Sequence, residues 1–279
     1  MKHLFFFLLF CGMVDGHAQS LSVFPEPSPR RIDLLKIDGR NAVGSVLHAY
    51  SGPARWKKKE WLLAGGIAVG TYGLFLLDEE VNPIFTNQHD NIPKTVRDLA
   101  FYFGKPQYNY GLTAAVYGLG ILTKNEKIRK TGILLIASAT TAGLIQSVSK
   151  TTVGRARPST GIGNKSFDFF NSTPDYHSFP SGHAILSFTT AHALARSVRS
   201  PWLKVGIYGL GSITPISRLW TNAHWLSDIG LSLAISIVSV DSVFNYLQRS
   251  GDYEQKGLTP GITWRLHAGP SSLGLVGTF

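Results

Sequence analysis

The sequence is nearly free of cysteine. Its 279 residues include one, Cys11, which lies in an apolar stretch near the N-terminus and follows the bulky Phe10, an unfavourable neighbour for lipid attachment. A mature chain that begins near Gln19 contains no cysteine at all. Such a chain fits an oxidising compartment, but it cannot be held together by disulfide bonds.

Acidic residues are also few, with 17 Asp and Glu against 27 Lys and Arg and a formal net charge of +10. An excess of positive charge can indicate nucleic-acid binding, which usually requires a continuous basic patch. Here the basic residues instead fall into short clusters between apolar segments, where membrane-flanking charges are found. The clusters are 55–59, 124–130, 150–157 and 196–204. We therefore expect no nucleic-acid partner.

Uninterrupted hydrophobic runs of the roughly 20 residues that cross a bilayer comfortably are scarce. Hydrophobic residues nevertheless make up 44% of the chain and charged residues 16%. Six apolar segments recur at 61–77, 110–122, 131–148, 183–198, 202–216 and 225–247. Six such segments with short polar connections predict an all-α fold, a six-helix bundle. The bundle can be membrane-embedded, or it can be a soluble or peripheral protein of the envelope.

Residues 1–18 have the pattern of a signal peptide: Lys2 and His3, an apolar run at 4–10 and a small-residue cleavage site at 16–18. An uncleaved membrane anchor is the alternative. The clusters 55–59, 124–130 and 196–204 flank alternate helix ends, which places all three in the cytoplasm. A cleaved signal would instead leave the new N-terminus outside, so the sequence leaves the topology of its first part open.

The remaining domain boundaries follow composition. Residues 19–54 are predicted to be an exposed leader with closely spaced prolines and one short helix around Arg31 to Tyr50. Residues 55–248 form the helical domain. Residues 249–279 are a glycine-rich tail that adds a strand pair or stays loose, and we assign it no function.

Three separated motifs carry the chemistry. They are Lys150-x6-Arg157-Pro158, Pro180-Ser181-Gly182-His183 and Ser217-Arg218-x5-His224-x3-Asp228. An arginine fork matches two phosphate oxygens and lysine adds a point charge. Ser181 is placed to cap a helix, and Gly182 allows the backbone to approach an anion held by the first-turn N–H groups.

The histidines complete this inventory. His224 and Asp228 are four residues apart, which predicts one helical face on which the carboxylate fixes the imidazole for nucleophilic attack. His183 in a first helical turn can protonate a leaving oxygen. Each motif alone also has an ordinary structural explanation, such as capping or a His–Asp pair. A metal site is disfavoured because three cationic side chains would repel the ion.

Together, in this order and spacing, the motifs resemble the signature of the type-2 phosphatidic acid phosphatase and vanadium haloperoxidase superfamily. All three match without substitution, over roughly residues 60–248, and the segment order is similar to the membrane-bound branch. The resemblance implies that His224 attacks phosphorus to form a phosphohistidine. Asp228 would orient His224, and His183 would act as general acid and then activate water. The implied phosphate-binding residues are Lys150, Arg157, Ser181, Gly182 and Arg218. No metal and no cofactor is implied.

The expected function is therefore hydrolysis of a phosphate or pyrophosphate ester, with a lipid-linked phosphate as substrate. The expected location is the membrane of a bacterial-type cell envelope, with the active site on the external, periplasmic face. A soluble envelope acid phosphatase of broad specificity, a vanadate-dependent haloperoxidase and a non-catalytic anion-binding protein are the alternatives. No obligate protein partner is inferred. His192, mid-helix, is expected to be a packed or hydrogen-bonded histidine.

Overall fold

The computed structural model describes residues 29–253 and two strands at 263–269 and 272–278. The predicted signal peptide, 1–18, lies outside the described residues. The helices are α1 (Arg31–Tyr50), α2 (Lys58–Thr86), α3 (Lys94–Phe103), α4 (Pro106–Thr123), α5 (Glu126–Val153), α6 (Gly182–Ser197), α7 (Pro201–Trp220) and α8 (Leu226–Arg249). Strand β1 (Thr263–Gly269) pairs antiparallel with β2 (Ser272–Thr278).

The predicted helical bundle is confirmed. The six apolar segments lie in α2 and in α4 to α8, and the short helix expected in the leader is α1. The count of six was too low, because the described residues contain eight helices. Helix α3, a ten-residue helix with charged residues in its first half, was not predicted from the sequence. The tail forms a strand pair, one of the two outcomes expected for it.

Helix α5 lies at the centre of the bundle. It packs against α1, α4, α6 and α8, while α6 also contacts α7 and α8, and α2 contacts α8. The largest apolar core joins α5 and α8. It includes Ile133, Leu134, Leu135, Val240, Val243 and Leu247. Burial of these side chains is what holds the two halves of the bundle together.

Polar side chains lie inside the bundle and apolar side chains lie on its outer surface, an arrangement that fits a lipid environment. Ser138, Ser232 and Ser236 are fully buried, whereas Val69 on α2 is 74% exposed and Leu62 is 66% exposed. Asp78 is the one buried residue of α2. Water would disfavour such apolar outer surfaces, but hydrocarbon tails do not.

Among the described residues, three helices, α2, α5 and α8, are long and apolar enough to cross a membrane. Several of the predicted apolar segments had looked too short for this. In the structure, 61–77 is part of the 29-residue α2 and 131–148 is part of the 28-residue α5. These helices and the exposed apolar surface have the features of an integral membrane protein.

Helix α1 buries one face in the bundle, while Val43 and Leu47 on its other face are exposed. Asp38 is fully buried and pairs with Arg129 of α5 through two hydrogen bonds of 2.9 and 2.7 Å. The hydroxyls of Tyr117 and Tyr253 also donate to it, at 3.0 and 2.9 Å. Proline and charge content suggested exposure, but the charge of Asp38 is satisfied inside the bundle. Helix α1 is therefore an integral part of the fold.

We predict that Asp38→Ala destabilises the protein strongly, because it leaves the guanidinium of Arg129 buried without its carboxylate. Breaking a buried pair from one side typically costs about 3–5 kcal/mol. The measurement is the Tm of the purified protein in one detergent. Asp33→Ala is the matched control, since Asp33 lies on the same helix in a solvent-exposed pair with Arg30. Equal Tm values for the two variants would contradict the prediction.

Candidate active site

The first motif lies across the end of α5. Lys150 is in the last turn of this helix. Gly154 then takes a left-handed conformation with φ of 55°, and a Cβ there would collide with the carbonyl of Asp168. This glycine turns the chain sharply out of the helix. Arg157 follows in extended conformation, as expected for a residue before proline.

The second motif begins α6. Ser181 is the N-cap, as predicted, and its hydroxyl accepts a hydrogen bond of 3.4 Å from the N–H of Ala184. Its own N–H donates to the hydroxyl of Ser232 at 2.9 Å, which ties the start of α6 to α8. Gly182 is the first residue of α6. A Cβ on it would meet only Gln146 at ordinary contact distance, so its predicted role beside an anion remains a prediction.

The third motif spans the connection between α7 and α8. Arg218 lies in the last turn of α7, as predicted, and Asp228 in the first turn of α8. His224 precedes α8, which begins at Leu226, so the expectation that His224 and Asp228 share one helical face was wrong. The two residues meet nevertheless, with His224 Nδ1 3.6 Å from Asp228 Oδ2.

The closer partner of His224 is a backbone carbonyl. Nδ1 of His224 lies 2.7 Å from the carbonyl oxygen of Ser178. Because a carbonyl can only accept, Nδ1 must carry the proton and Nε2 must carry the lone pair. The structure thus selects the tautomer in which Nε2 carries the lone pair.

Asp228 holds the surroundings of His224 rather than His224 alone. One carboxylate oxygen accepts from the guanidinium of Arg155 at 2.6 Å. The other accepts from the backbone N–H of Trp225 at 2.8 Å and from the hydroxyl of Ser178. Asp228 therefore fixes the residue after His224 and also the residue whose carbonyl orients it.

Arg155 and Asp78 were missed by the sequence analysis. Arg155 is 1% exposed and donates to Asp78 at 2.6 Å, to Ser227 at 2.8 Å and to Asp228. Arg155 was hidden in the variable spacer of the first motif. A carboxylate such as Asp78 within an apolar helix is a signal that could have been noticed, because such residues are usually paired or functional.

The structure brings the basic residues and both histidines close together. Arg157 donates to the carbonyls of Pro174 and Ala223 at 2.8 and 3.0 Å, which joins the loop before α6 to the connection before α8. His183 lies within electrostatic reach of Lys150, Arg157, Arg218 and His224. Nε2 of His183 is buried and has no hydrogen-bond partner within the described residues.

Burial governs the charge state of His224. It lowers the pKa of this imidazole to about 4, and the nearby charges of Arg157 and Lys150 act in the same direction, whereas Asp228 opposes them. His224 is therefore neutral at pH 7. Burial also lowers the pKa of Arg157, although a guanidinium remains charged at this pH.

No group of three or more His, Cys, Asp or Glu side chains within the described residues is arranged to hold a metal ion. His192 is a hydrogen-bonded histidine, as predicted. Its ring nitrogens lie 2.7 Å from the hydroxyl of Tyr208 and 3.2 Å from Asp241.

Residues 131–252 match the model of the PAP2 superfamily, which confirms the resemblance indicated by the three motifs. The chain is 34% identical over 98 residues to a lipid A 1-phosphatase from Porphyromonas gingivalis, covering 34% of this chain and 19% of that protein. It is 32% identical over 115 residues to an undecaprenyl-diphosphatase from Sulfolobus acidocaldarius, covering 37% of this chain and 49% of that protein. The matches thus span less than half the length of each of these curated relatives.

Two solved structures are similar at lower identity. The crystal structure of Aquifex aeolicus LpxE has a TM-score of 0.46 at 17% identity, with 61% of this chain and 95% of that chain covered. The crystal structure of a transmembrane PAP2-type phosphatidylglycerolphosphate phosphatase from Bacillus subtilis has a TM-score of 0.43 at 16% identity, with 76% and 98% covered.

We predict that His224 keeps a proton on Nδ1 and none on Nε2 from about pH 8 to about pH 5, since its pKa is lowered to about 4 and a second proton binds only below that range. The measurement is ¹⁵N NMR of histidine-labelled protein in detergent, with the signals assigned by their loss in His224→Gln. A doubly protonated ring near pH 6, or a proton on Nε2, would contradict the assigned environment.

Proposed function

We propose that the protein is a metal-independent phosphatase that hydrolyses a phosphate or pyrophosphate ester of a membrane lipid through a phosphohistidine intermediate. The observation that carries this proposal is the neutral His224, with Nδ1 bound to the Ser178 carbonyl and with three cations and a second imidazole in the same pocket. A pocket that only binds anions has no use for an oriented nucleophile.

In the first step, Nε2 of His224 attacks phosphorus and the bond from phosphorus to the leaving oxygen breaks. The cations Lys150, Arg157 and Arg218 hold the phosphoryl oxygens and stabilise the charge of the transition state, as metal ions do elsewhere. The negative charge of the bound phosphate favours a proton on His183. His183 passes this proton to the leaving oxygen. A lipid monophosphate then departs as the lipid alcohol, and a lipid pyrophosphate departs as the lipid monophosphate.

In the second step, water attacks the phosphohistidine. His183, now neutral, accepts a proton from the water while the bond between phosphorus and His224 Nε2 breaks. Inorganic phosphate leaves and the lone pair returns to Nε2. The Nδ1 contact with Ser178 persists through both steps and keeps the ring in place.

A lipid substrate is favoured over a soluble ester by the surroundings of the site. An apolar cavity of about 370 Å³ lies beside Arg155 and Ser227. Its walls include Tyr72, Phe75, Phe167 and Phe179. One similar protein is a lipid A 1-phosphatase and another an undecaprenyl-diphosphatase, and both names denote lipid phosphates. The outward apolar surface of α2 argues against a soluble envelope phosphatase.

We further propose that the site lies at the external, periplasmic face of a bacterial-type envelope. The site is built at the ends of α5 and α7 and the starts of α6 and α8. The basic clusters 55–59, 124–130 and 196–204 lie at the opposite helix ends, which the positive-inside rule assigns to the cytoplasm.

We expect His224→Ala to abolish phosphate release from lipid phosphates, because no other group in the described pocket is oriented to form the covalent intermediate. The assay uses a panel of lipid and soluble phosphoesters in detergent micelles, and the variant should retain the wild-type Tm and weak phosphate binding. Asp241→Asn is the control. It changes a titratable group that contacts His192 outside the three motifs, so it should leave phosphate release unchanged. Full activity of His224→Ala would falsify the assigned nucleophile.

Chelation with EDTA should leave the rate unchanged, because fixed cations take the place of a metal ion. Orthovanadate should compete with substrate, since it can adopt the geometry of the phosphoryl group under attack. Both effects are read from initial rates of phosphate release. Inhibition by EDTA that zinc or magnesium reverses would overturn the metal-free mechanism, and bromide oxidation by the vanadate-loaded protein would favour the haloperoxidase alternative.

A further inference from the structure

Helix α3, which the sequence analysis did not predict, ends directly against the second histidine of the site. Gly104 follows its last turn, and a Cβ there would lie 2.9 Å from two carbons of the His183 side chain. The hydroxyl of Thr214 on α7 donates to the carbonyl of Ala100 at 2.7 Å. These contacts fix α3 against both α6 and α7, so its side chains have defined positions beside the pocket.

Phe101 of α3 stacks on His183. The two ring centroids are 5.7 Å apart and the planes differ by 17°. The same phenyl ring lies 5.4 Å from the guanidinium carbon of Arg218 and 4.3 Å from the ammonium nitrogen of Lys105. Cations are attracted to aromatic faces, so these two groups help to hold the phenyl ring in place.

His183 needs such support. Its Nε2 is buried without a hydrogen-bond partner within the described residues, in contrast to His224, whose ring is oriented by a carbonyl. An imidazole that must deliver a proton to a particular oxygen has to be held in one orientation. The stacked ring of Phe101 restricts rotation of His183 and forms no hydrogen bond with its ring nitrogens.

We propose that Phe101 is a positioning residue that orients the imidazole of His183 for proton transfer to the leaving oxygen. This inference rests on the proposed function, in which His183 is the general acid. Phe101 lies outside the three motifs and outside the residues that match the superfamily model.

The leaving group provides a way to isolate this role. An alkoxide leaving group from a lipid phosphate is strongly basic and needs a proton as its bond to phosphorus breaks. A p-nitrophenolate is a much weaker base and departs without one. Loss of general-acid catalysis should therefore slow the first reaction far more than the second.

The experiment compares kcat/KM for dioctanoyl phosphatidate and p-nitrophenyl phosphate in full-length, detergent-solubilised protein. We expect Phe101→Leu to lose roughly 10- to 100-fold on phosphatidate and less than about 3-fold on p-nitrophenyl phosphate. This is below the roughly 100- to 10,000-fold that a positioned general acid contributes, because His183 itself is still present. Phe101→Tyr, which retains a ring, should restore most of the phosphatidate activity. Tyr102→Leu is the matched control, since Tyr102 is a neighbouring exposed aromatic that contacts Phe101 and Tyr108 but not the His183 ring.

A double-mutant cycle completes the test. If Phe101 acts through His183, Phe101→Leu should add little to the loss on phosphatidate already caused by His183→Ala. Equal losses on both substrates, or additive losses in the double variant, would overturn the inference. So would wild-type behaviour of Phe101→Leu alongside a leaving-group-selective loss in His183→Ala, and this last result would leave the proposed function intact. Full activity of His224→Ala or His183→Ala would instead remove the proposed function itself.

Discussion

The arrangement of the site depends on one buried guanidinium. Arg155 bridges Asp78 of α2 and Asp228 of α8, and it lies in the chain that leaves α5. A buried charge without a partner is strongly unfavourable, so each of these three groups requires the others. Asp228, held in this way, accepts from Ser178, and the carbonyl of Ser178 orients His224. The position of His224 thus depends on the ionic contact between Arg155 and Asp228, which also lies beside the imidazole ring.

The same cluster sets the charge of the pocket. The cationic side chains are Lys150, Arg155, Arg157 and Arg218. The carboxylates are Asp78, Asp228 and, acting on Arg157, Asp175, so that cations outnumber carboxylates. Since Arg155 is taken up by carboxylates, Lys150, Arg157 and Arg218 are the cations that we propose to hold the phosphoryl oxygens, and His224 stays neutral among them.

Buried polar contacts also explain why the apolar segments looked short. The first was expected to end at residue 77, before Asp78, but α2 continues to Thr86 and Asp78 pairs inside the bundle with Arg155. Asp38 misled the prediction for α1 in a similar way. Its charge suggested an exposed segment, but the structure shows that it is buried in a pair with Arg129. In a bundle with an apolar exterior, paired charges are accommodated inside, so charge along the sequence is a poor guide to exposure.

Sequence patterns over a few helical turns were sufficient to predict most of the helices and several residues of the site. The apolar segments predicted α2 and α4 to α8, the residues around Ser181 predicted an N-cap, and motif spacing placed Lys150 and Arg218 at helix ends. These features depend on neighbours within a few turns of chain. Tertiary structure alone decided that Arg155 pairs with Asp78, 77 residues away, and that a backbone carbonyl orients His224. It also brought Phe101 of α3 against His183. Contacts between distant segments, and contacts made by backbone atoms that every residue carries, leave no pattern in the sequence from which they can be read.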